Sequence, residues 1–320
     1  MNLPQGVELE DVGCPLGCRR SDETVLSGRD RLHQLPGVFT VVKCRACGLM
    51  RTNPRPTPET IGYYYPSDYH PYRNTRIETA SSHLGNIKIR LKRMARRIFE
   101  FNSTRLPLMA PGRMLEVGCA SGVFLHQMAQ QGWEVSGIEF SADAADNARI
   151  SGYSVHAGSI ESAPDPEAPF DLIVGWMVLE HLHAPILPLR KLHQWIKPNG
   201  WLAISVPNAA SLEFRLFRDA WYALQLPTHL CHFTPASLAK VLQAGGWSVE
   251  RVFHQRLLGN AVASAGYMLS DRKIWPALTR MLLEFPEKSG LRQYAAFPLA
   301  YLASIMGQTG RMTVWARRAD

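Results

Sequence analysis

Four cysteines near the N-terminus have the spacing of a metal site. Three residues separate Cys14 from Cys18, two separate Cys44 from Cys47, and 25 lie between the two pairs. Two such tight turns can present four thiolates to a tetrahedral Zn2+. Two disulfides are the alternative, but the first residues lack the apolar stretch of a secretion signal, so reduced thiols are expected. The spacing predicts one structural zinc ion, with sulfur in every coordination position.

A glycine-rich turn follows a short apolar run in the middle of the chain. The run Arg113–Val117 leads into Gly118 and Gly122, and an apolar-periodic helix comes next. At the carboxyl end of a strand, such a turn lets backbone N–H groups approach a ligand. Glu139 ends the next predicted strand, where a carboxylate can accept both ribose hydroxyls of an adenosine group. The dinucleotide pattern G-x-G-x-x-G is not met, because alanine and valine occupy its second and third glycine positions.

The segment Leu115–Gly122, which reads LEVGCASG, resembles the first motif of class I S-adenosylmethionine-dependent methyltransferases. Ala120 replaces the middle glycine of that motif, normally E/D-x-G-x-G-x-G. Met177–Leu182 is similar to the family's motif after the fourth strand. His229–Pro235 looks like the HLxHFTP segment of a subgroup from saccharide and natural-product pathways, whose members often carry an N-terminal zinc-ribbon segment. The resemblance covers roughly residues 12–72 and 110–255 and implies methyl transfer from S-adenosylmethionine.

The resemblance also implies which residues surround the cofactor. It places Glu139 on the ribose and Gly158–Glu161 beside the adenine, although Ser159 stands where the family usually has an acid. The residues expected to contact S-adenosylmethionine are Glu116, Gly118, Cys119, Ala120, Gly122, Glu139, Phe140, Ser159, Ile160 and Trp176.

Three histidines are candidates for the residue that removes a proton from the acceptor. A hydroxyl or carbon acid must lose its proton during methyl transfer, and an imidazole is suited to accepting it. His229 and His232 lie just before a Thr-Pro helix start, and we predict that both face the acceptor. His181 follows the fourth strand, at the sheet edge where the methyl group should lie. The alternative is that one of these histidines only bonds to the backbone and braces the loop.

An α/β scaffold is needed to bring these residues together. Apolar strand patterns at 113–117, 133–138, 153–156, 170–176 and 201–208 alternate with helical patterns. The predicted fold is α/β: a Rossmann-like, seven-stranded methyltransferase domain with a small N-terminal zinc-ribbon module and a helical insertion before the last strand. The predicted units are a zinc-ribbon module (1–60), a Tyr-rich connector with a basic amphipathic helix (61–105), and the methyltransferase domain (106–320, insertion 257–310).

Composition and charge limit the partners. Hydrophobic residues make up 46% of the 320, which excludes a disordered or collagen-like chain, and no apolar run is long enough to span a membrane. The net charge of +8 suggests an acidic partner or a solvated basic face, and six of the basic residues lie between Lys88 and Arg97. Five of the ten tyrosines lie between Tyr63 and Tyr72, either joining the two modules or contacting a ligand.

A small molecule or saccharide is therefore the predicted acceptor: a nucleotide sugar, a lipid-linked sugar or a natural product. A zinc-containing RNA methyltransferase is the alternative, with the zinc module and basic helix on phosphates. The sequence after the fourth strand disfavours nucleic acid, because Trp176–Leu179 stand where base-amino methyltransferases carry an Asn/Asp-Pro-Pro-aromatic segment. A non-catalytic cofactor-binding scaffold is disfavoured by the intact Gly118, Gly122 and Glu139.

The insertion at 257–310 is rich in apolar residues at helical spacing. Packing on the domain's own core or on a second copy, as a homodimer, is the first interpretation. The alternative is peripheral contact with a membrane beside the basic helix, which would bring the enzyme to a lipid-linked saccharide. The chain is expected in the cytoplasm, at the inner face of a membrane under the second interpretation.

Overall fold

The computed structural model describes residues 3–66, 99–290 and 292–319. Five short strands form the N-terminal part of the described chain. They are β1 (Leu9–Glu10), β2 (Asp22–Gly28), β3 (Phe39–Cys44), β4 (Met50–Thr52) and β5 (Arg55–Pro56). The predicted basic helix and two of the connector tyrosines, Tyr69 and Tyr72, lie outside the described residues.

Alternating strands and helices follow from residue 113. The strands are β6 (Arg113–Val117), β7 (Glu134–Glu139), β8 (Ser154–Ala157), β9 (Phe170–Trp176), β10 (Ile196–Pro207), β11 (Cys231–His232), β12 (Trp247–His254) and β13 (Arg311–Arg318). The helices are α1 (Val123–Ala129), α2 (Ala142–Ile150), α3 (Ile186–Trp195), α4 (Leu212–Phe217), α5 (Pro235–Ala244), α6 (Gly259–Asp271), α7 (Pro276–Leu283), α8 (Phe285–Lys288), α9 (Arg292–Ala295) and α10 (Phe297–Ile305). Short 3-10 turns lie at Ile61–Tyr64, Leu179–His181, Arg218–Ala220 and Tyr222–Leu224.

Seven strands of the described chain form one mixed sheet in the order β12-β13-β10-β9-β6-β7-β8. Strands β6 to β10 run parallel, and β13 runs antiparallel between β10 and β12. The inner strands are mostly apolar because helices cover both faces of a parallel sheet, although β6 also carries the buried Glu116. The Rossmann-like seven-stranded sheet expected from the sequence is thus confirmed, including β13 as its closing strand.

Strand β11 belongs to a different sheet, which the sequence did not predict. Cys231 and His232 pair antiparallel with Arg51 and Met50, so the second sheet has the order β11-β4-β3-β2. The N-terminal strands also share a buried apolar cluster with residues 209–226, in which Phe39 and Trp221 are members. The segment that carries two of the candidate histidines is therefore attached directly to the N-terminal strands.

The chain between β12 and β13 is helical, as predicted, and contains α6 to α10. Several of its large apolar side chains remain exposed: Ile274, Trp275, Met281, Leu299, Tyr301, Leu302, Ile305 and Met306. Packing on the domain's own core therefore does not cover this surface. No helix within the described ranges is both long and apolar enough to cross a membrane.

Candidate functional site

The four N-terminal cysteines converge. Their sulfur atoms all lie within 4.8 Å of one another, the Sγ atoms of Cys14 and Cys47 are 3.4 Å apart, and none of the four forms a disulfide. Four sulfurs around a tetrahedral Zn2+, each at about 2.3 Å, would be separated by about 3.8 Å. Burial opposes ionisation of Cys44, but hydrogen bonds from the backbone N–H groups of Cys47 and Ala46 and from the thiols of Cys47 and Cys14 together outweigh it and lower the pKa of that thiol to about 7. The cluster is thus a set of ligands suited to a metal ion.

Tight turns build this cluster. Gly17 and Gly48 have φ angles of +71° and +80°, and their N–H groups donate to the carbonyls of Cys14 and Cys44. Both glycines occupy the left-handed region, which side chains disfavour. The sequence did not single out Arg51, a fully buried cation whose charge interacts with Cys14 and Cys44 and which pairs with Asp22. A lone arginine in a short strand gives no sequence signal for such a role.

The glycine turn lies at the carboxyl end of β6, as expected. Gly118, Ala120 and Gly122 all have positive φ angles, of +70°, +46° and +82°. A Cβ atom on Gly118 would lie 2.5 Å from the Val178 side chain, so only glycine leaves this space open. Ala120 adopts the same left-handed backbone despite its methyl group, at a cost of roughly 1–2 kcal/mol. The turn therefore keeps the geometry that a middle glycine would have.

Two buried carboxyl groups face this turn. Glu139 is 5% exposed, and its two oxygens accept the N–H groups of Ala120 and Ser141 at 2.8 and 2.9 Å. Glu116 is 3% exposed, and its Oε2 has no hydrogen-bond partner in the part of the chain that the structure describes. Burial, and then the charge of Glu139, raise the pKa of Glu116 to about 8. An unpartnered buried carboxyl beside a second one suits a ligand with cationic and hydroxyl groups, as S-adenosylmethionine has.

Glu116→Gln should change how stability depends on pH. A carboxyl whose pKa rises from 4.5 unfolded to about 8 folded stabilises the fold below pH 4.5 and loses that contribution as pH rises towards 8. The loss is up to about 1.4 kcal/mol per pH unit for one such group. Denaturant unfolding of ligand-free protein between pH 5 and 8 should therefore show a smaller fall for Glu116→Gln than for the parent.

The exposed Glu250 on β12 provides the matched control for that measurement. Glu250→Gln removes a carboxylate without removing a buried one, so its stability curve should run parallel to that of the parent. If the stability of Glu116→Gln falls with pH in parallel with that of the parent, the raised pKa of Glu116 is contradicted.

The other predicted cofactor residues lie around the carboxyl ends of β7, β8 and β9. Phe140 is 79% exposed directly after Glu139, and Ile160 is buried. The Ser159 hydroxyl accepts the N–H of Ser162, so it does not supply a carboxylate for the adenine amino group. Trp176 ends β9, packs edge-on against Phe124, and has a buried indole N–H with no partner among the described residues.

The thiol of Cys119 points away from the turn into the sheet. A Cβ atom on Gly137 of β7 would lie 2.6 Å from its sulfur, which shows how closely the thiol packs on that strand. Burial raises the pKa of this thiol. Cys119 can therefore contribute its backbone to a ligand at the turn, while its side chain fills the core.

The three candidate histidines are placed differently from one another. The rings of His181 and His229 are in edge-to-face contact with centroids 4.6 Å apart. His232 lies on β11, where its Nε2 is 3.1 Å from the Thr52 hydroxyl, which itself donates to the carbonyl of His229. The structure therefore brings His181 and His229 together and ties His232 to the N-terminal strand β4.

Hydrogen bonds determine which ring nitrogens carry protons. Nδ1 of His181 lies 3.0 Å from the Thr228 carbonyl and Nδ1 of His229 lies 2.9 Å from the Ala223 carbonyl, and a carbonyl can only accept. In the neutral rings the proton is therefore on Nδ1, and Nε2 has a free lone pair. Burial lowers the pKa of His181 to about 4 and that of His229 well below its usual value, so both rings are neutral at pH 7.

A third group joins this pair. Glu180 is completely buried, neither of its carboxyl oxygens has a hydrogen-bond partner among the described residues, and burial raises its pKa to about 8. Glu180, His181 and His229 each offer one atom within 4.8 Å of the others, a spacing that could hold a cation. The arrangement can accept a proton through an imidazole or bind a positive charge between the carboxyl group and the rings.

Of the connector tyrosines that the structure describes, two have distinct roles. Tyr64 is 1% exposed, packs edge-on against Phe39, and donates its hydroxyl to the Pro36 carbonyl, so it joins the connector to the N-terminal strands. The hydroxyl of Tyr65 is 2.9 Å from Nδ1 of His181. The connector therefore reaches the histidine pair through Tyr65.

The sequence model of the family described as "Methyltransferase domain" matches residues 88–252, just over half of the 320-residue chain. The chain belongs to this family. It is an S-adenosylmethionine-dependent methyltransferase, and the resemblance of its glycine turn to the class I enzymes is confirmed at the level of the domain. The match begins after the four cysteines and does not address them.

Two named relatives match this methyltransferase over about half of its length. It is 32% identical over 168 residues to ubiquinone biosynthesis O-methyltransferase of Xanthomonas euvesicatoria pv. vesicatoria, covering 48% of this chain and 69% of the relative. It is 27% identical over 180 residues to a probable S-adenosylmethionine-dependent methyltransferase of Mycolicibacterium smegmatis, covering 54% and 68%. A solved S-adenosylmethionine-dependent methyltransferase from Mesorhizobium loti matches 70% of this chain and 96% of its own, with 18% identity and a TM-score of 0.45.

Proposed function

We propose that this methyltransferase methylates a hydroxyl or carbon acid of a small-molecule or saccharide acceptor. The observation that carries the proposal is the pair of neutral imidazoles, His181 and His229, which follows β9 and meets the loop before β11. Each ring holds its proton on Nδ1 and leaves Nε2 free to accept one from the acceptor. His232 is assigned a positioning role, because its bond to Thr52 fixes the segment that carries His229.

The same proposal assigns the residues that would surround the cofactor. S-adenosylmethionine, when bound, supplies a sulfonium-activated methyl group. The backbone of Gly118, Cys119, Ala120 and Gly122 would line its site, Glu139 would accept the ribose hydroxyls, and Glu116 would face its cationic part. Phe140, Ser159, Ile160 and Trp176 would surround the base and complete the wall. Holding both reactants in line is the main contribution expected of the protein, worth roughly 7–11 kcal/mol at most.

Two observations support the acceptor class. The curated relatives are named for O-methylation in ubiquinone biosynthesis, which favours a small molecule and an oxygen acceptor. The HLCHFTP segment resembles that of saccharide and natural-product enzymes and forms β11 in this fold. The segment after β9, Trp176–Leu179, supports neither base-amino methylation nor the RNA alternative.

A methyl-transfer screen tests this proposal. Release of S-adenosylhomocysteine would be measured with phenolic acceptors, nucleotide sugars, and lipid-linked saccharides presented in anionic vesicles. We expect the parent protein to methylate one of these acceptor classes and His229→Asn to lose that turnover. Salt-dependent methylation of RNA, with no turnover of any small acceptor, would overturn it.

We infer that the four cysteines hold a structural zinc ion. Four thiolates fill a tetrahedral sphere and leave no open position for water or substrate, so the ion would support the fold and take no part in methyl transfer. The N-terminal strands that it would support carry Thr52, which bonds to both His229 and His232.

The exposed apolar side chains of the insertion point to a further partner. A second copy of the chain would cover them in a homodimer, and a membrane would cover them in peripheral binding. Flotation of the protein with anionic vesicles separates these cases, because only membrane binding requires the protein to float with the vesicles. Such contact would place the enzyme in the cytoplasm at the inner face of a membrane.

Glu139→Ala should weaken binding of S-adenosylhomocysteine by about 1.5–3 kcal/mol, the range for hydrogen bonds to a charged group. Titration calorimetry measures this directly. Glu139→Gln is a useful companion, because the amide keeps an acceptor for the backbone N–H of Ala120. Glu134→Ala, at the exposed start of the same strand, is the matched control and should bind normally. Unchanged affinity in a folded Glu139→Ala protein would contradict the ribose assignment.

A further inference from the structure

A cavity of about 120 Å³ lies inside the helical insertion. It is bounded by the start of α6 on one side and by α8, α9 and the start of β13 on the others. Roughly 10–15 Å³ is enough for a single water molecule, so this cavity has room for a larger group. Its walls are mostly apolar, with Leu257, Phe285 and Pro286 among them, and its polar groups include Asn260 and Arg311.

Arg311 is half-buried and differs in its pairing from three other arginines that are buried or half-buried. Arg31, Arg51 and Arg55 each form a salt bridge with a carboxylate, whereas Arg311 forms none with any described residue. Its Nε is buried and has no hydrogen-bond partner among those residues. Leaving a buried N–H donor of a cation unpaired is costly, so a site that keeps one is suited to an anion.

The start of α6 adds further donors to the same cavity. This helix of 13 residues begins at Gly259 with no side-chain cap, so its first N–H groups and its positive dipole end are available to an anion. Asn260 lies in that first turn and lines the cavity. It is 6% exposed, and its Nδ2 donor has no partner in the described chain. The unpartnered amide is an independent sign that a ligand belongs there.

Two buried carboxyl groups, Glu213 and Glu180, interact electrostatically with Arg311 but form no salt bridge with it. Glu213 accepts the N–H of Gly310 at 2.9 Å, and its indole partner is Trp221. Burial raises the pKa of Glu213 to about 7 and that of Glu180 to about 8, although the charge of Arg311 acts in the opposite direction on both. Near pH 7, Glu180 is therefore protonated and Glu213 only partly ionised.

Arg311 also lies at the functional edge of the sheet. It opens β13 and pairs with Pro207, the last residue of β10, at the edge where β6 leads into the glycine turn. Its charge contributes to lowering the pKa of His229, after the larger effect of burial. A group bound at Arg311 would therefore lie at the same edge of the sheet as the histidine pair.

We propose that this cavity binds an anionic group of the methyl acceptor, a carboxylate or a phosphate, through Arg311, Asn260 and the first N–H groups of α6. The inference rests on the proposed function, and it makes the acceptor an anionic small molecule. Ser289 and Gln293 also line the cavity, but Arg311 is the one cationic side chain among the described residues of this lining, so it would select for the charge of the ligand.

Thermal unfolding with added anions tests the site without any methyl transfer. The parent protein would be titrated with inorganic phosphate or with acetate, with chloride keeping the ionic strength constant. One of these anions should raise the Tm. Arg311→Gln and the isosteric Asn260→Asp should each need about tenfold more of it, or more, for the same shift. Arg318→Gln, which removes an exposed charge from the far end of β13, should respond like the parent.

The outcomes distinguish a phosphorylated acceptor from a carboxylate. They also distinguish failure of the anion site from failure of the cofactor assignment. A response to phosphate indicates a phosphorylated acceptor, and a response to acetate alone indicates a carboxylate. No response of the parent to either anion, or an equal response in Arg311→Gln, overturns the site. S-adenosylhomocysteine should still raise the Tm of both variants. If it stabilises none of the proteins while the anion response persists, the cofactor assignment fails and the anion site stands.

Discussion

Cys44→Ser should yield a protein that holds no zinc, whereas the parent should hold about one ion per chain. Cys44 is completely buried at the end of β3, which pairs with β2 and β4. Apparent binding energies for structural zinc sites are roughly 10–16 kcal/mol in small zinc-binding peptides, and that energy is folding energy for a small module. We therefore expect the N-terminal strands to unfold in this variant.

That unfolding should also abolish methyl transfer. Strand β4 pairs with β11, and Thr52 at its end donates to the His229 carbonyl at 2.7 Å. Loss of β4 removes both supports from the segment that carries His229 and His232. Elemental analysis, limited proteolysis of residues 3–66, and turnover would be measured together.

Cys231→Ala is the matched control for the loss of a thiol. Cys231 is a free, buried cysteine on β11, outside the four-cysteine cluster. This variant should keep its zinc and its resistance to proteolysis. A Cys44→Ser protein that retains one zinc ion, or that loses zinc and still resists proteolysis, would contradict the structural role.

His229→Asn and His181→Asn should each lower kcat by roughly 10²–10⁴-fold, the range for a general base. The asparagine amide can still donate to the Ala223 or Thr228 carbonyl in place of Nδ1–H, so the local hydrogen bond survives. The lone pair on Nε2 is lost, together with the ring contact between His181 and His229. Affinity for S-adenosylhomocysteine should stay unchanged, because neither ring belongs to the cofactor turn.

The third histidine supplies the contrast. In His232→Gln the amide can replace Nε2 as the partner of Thr52, so turnover should stay within about tenfold of the parent. Normal turnover in both His181→Asn and His229→Asn would place the base elsewhere. A loss confined to His232→Gln, without loss of stability, would return the catalytic role to His232.

The pH profile gives a second measurement of the same assignment. Burial holds the pKa of His181 at about 4, so the ring accepts protons from the acceptor without being protonated by the solvent near neutrality. The kcat of the parent should therefore show no ionisation near pH 6.5, where an ordinary histidine titrates. A clear step at that pH would contradict the burial argument.

Short-range sequence patterns determine many of the secondary-structure elements of the central domain. Strand Phe170–Trp176 has the bounds that its apolar pattern predicts, and the Ser141 hydroxyl caps α2 by accepting the N–H of Ala144. Helix α5 starts at Thr234 and Pro235, which form a capping box with Ser237, so the Thr-Pro signal identified its first residue. These strand bounds and helix caps depend on neighbours within a few residues, so they can be predicted from the sequence.

The sequence by itself determined the cysteine cluster, the glycine turn and the histidines as groups, because each depends on residue type and short spacing. Only the tertiary structure decided which members act together. Strand pairing across about 180 residues attaches His232 to β4, and ring packing joins His229 to His181 instead. That Arg311 forms no salt bridge with any described residue likewise became visible only in the fold. Partners, burial and the pKa shifts that follow from burial are properties of distant contacts, and no local pattern encodes them.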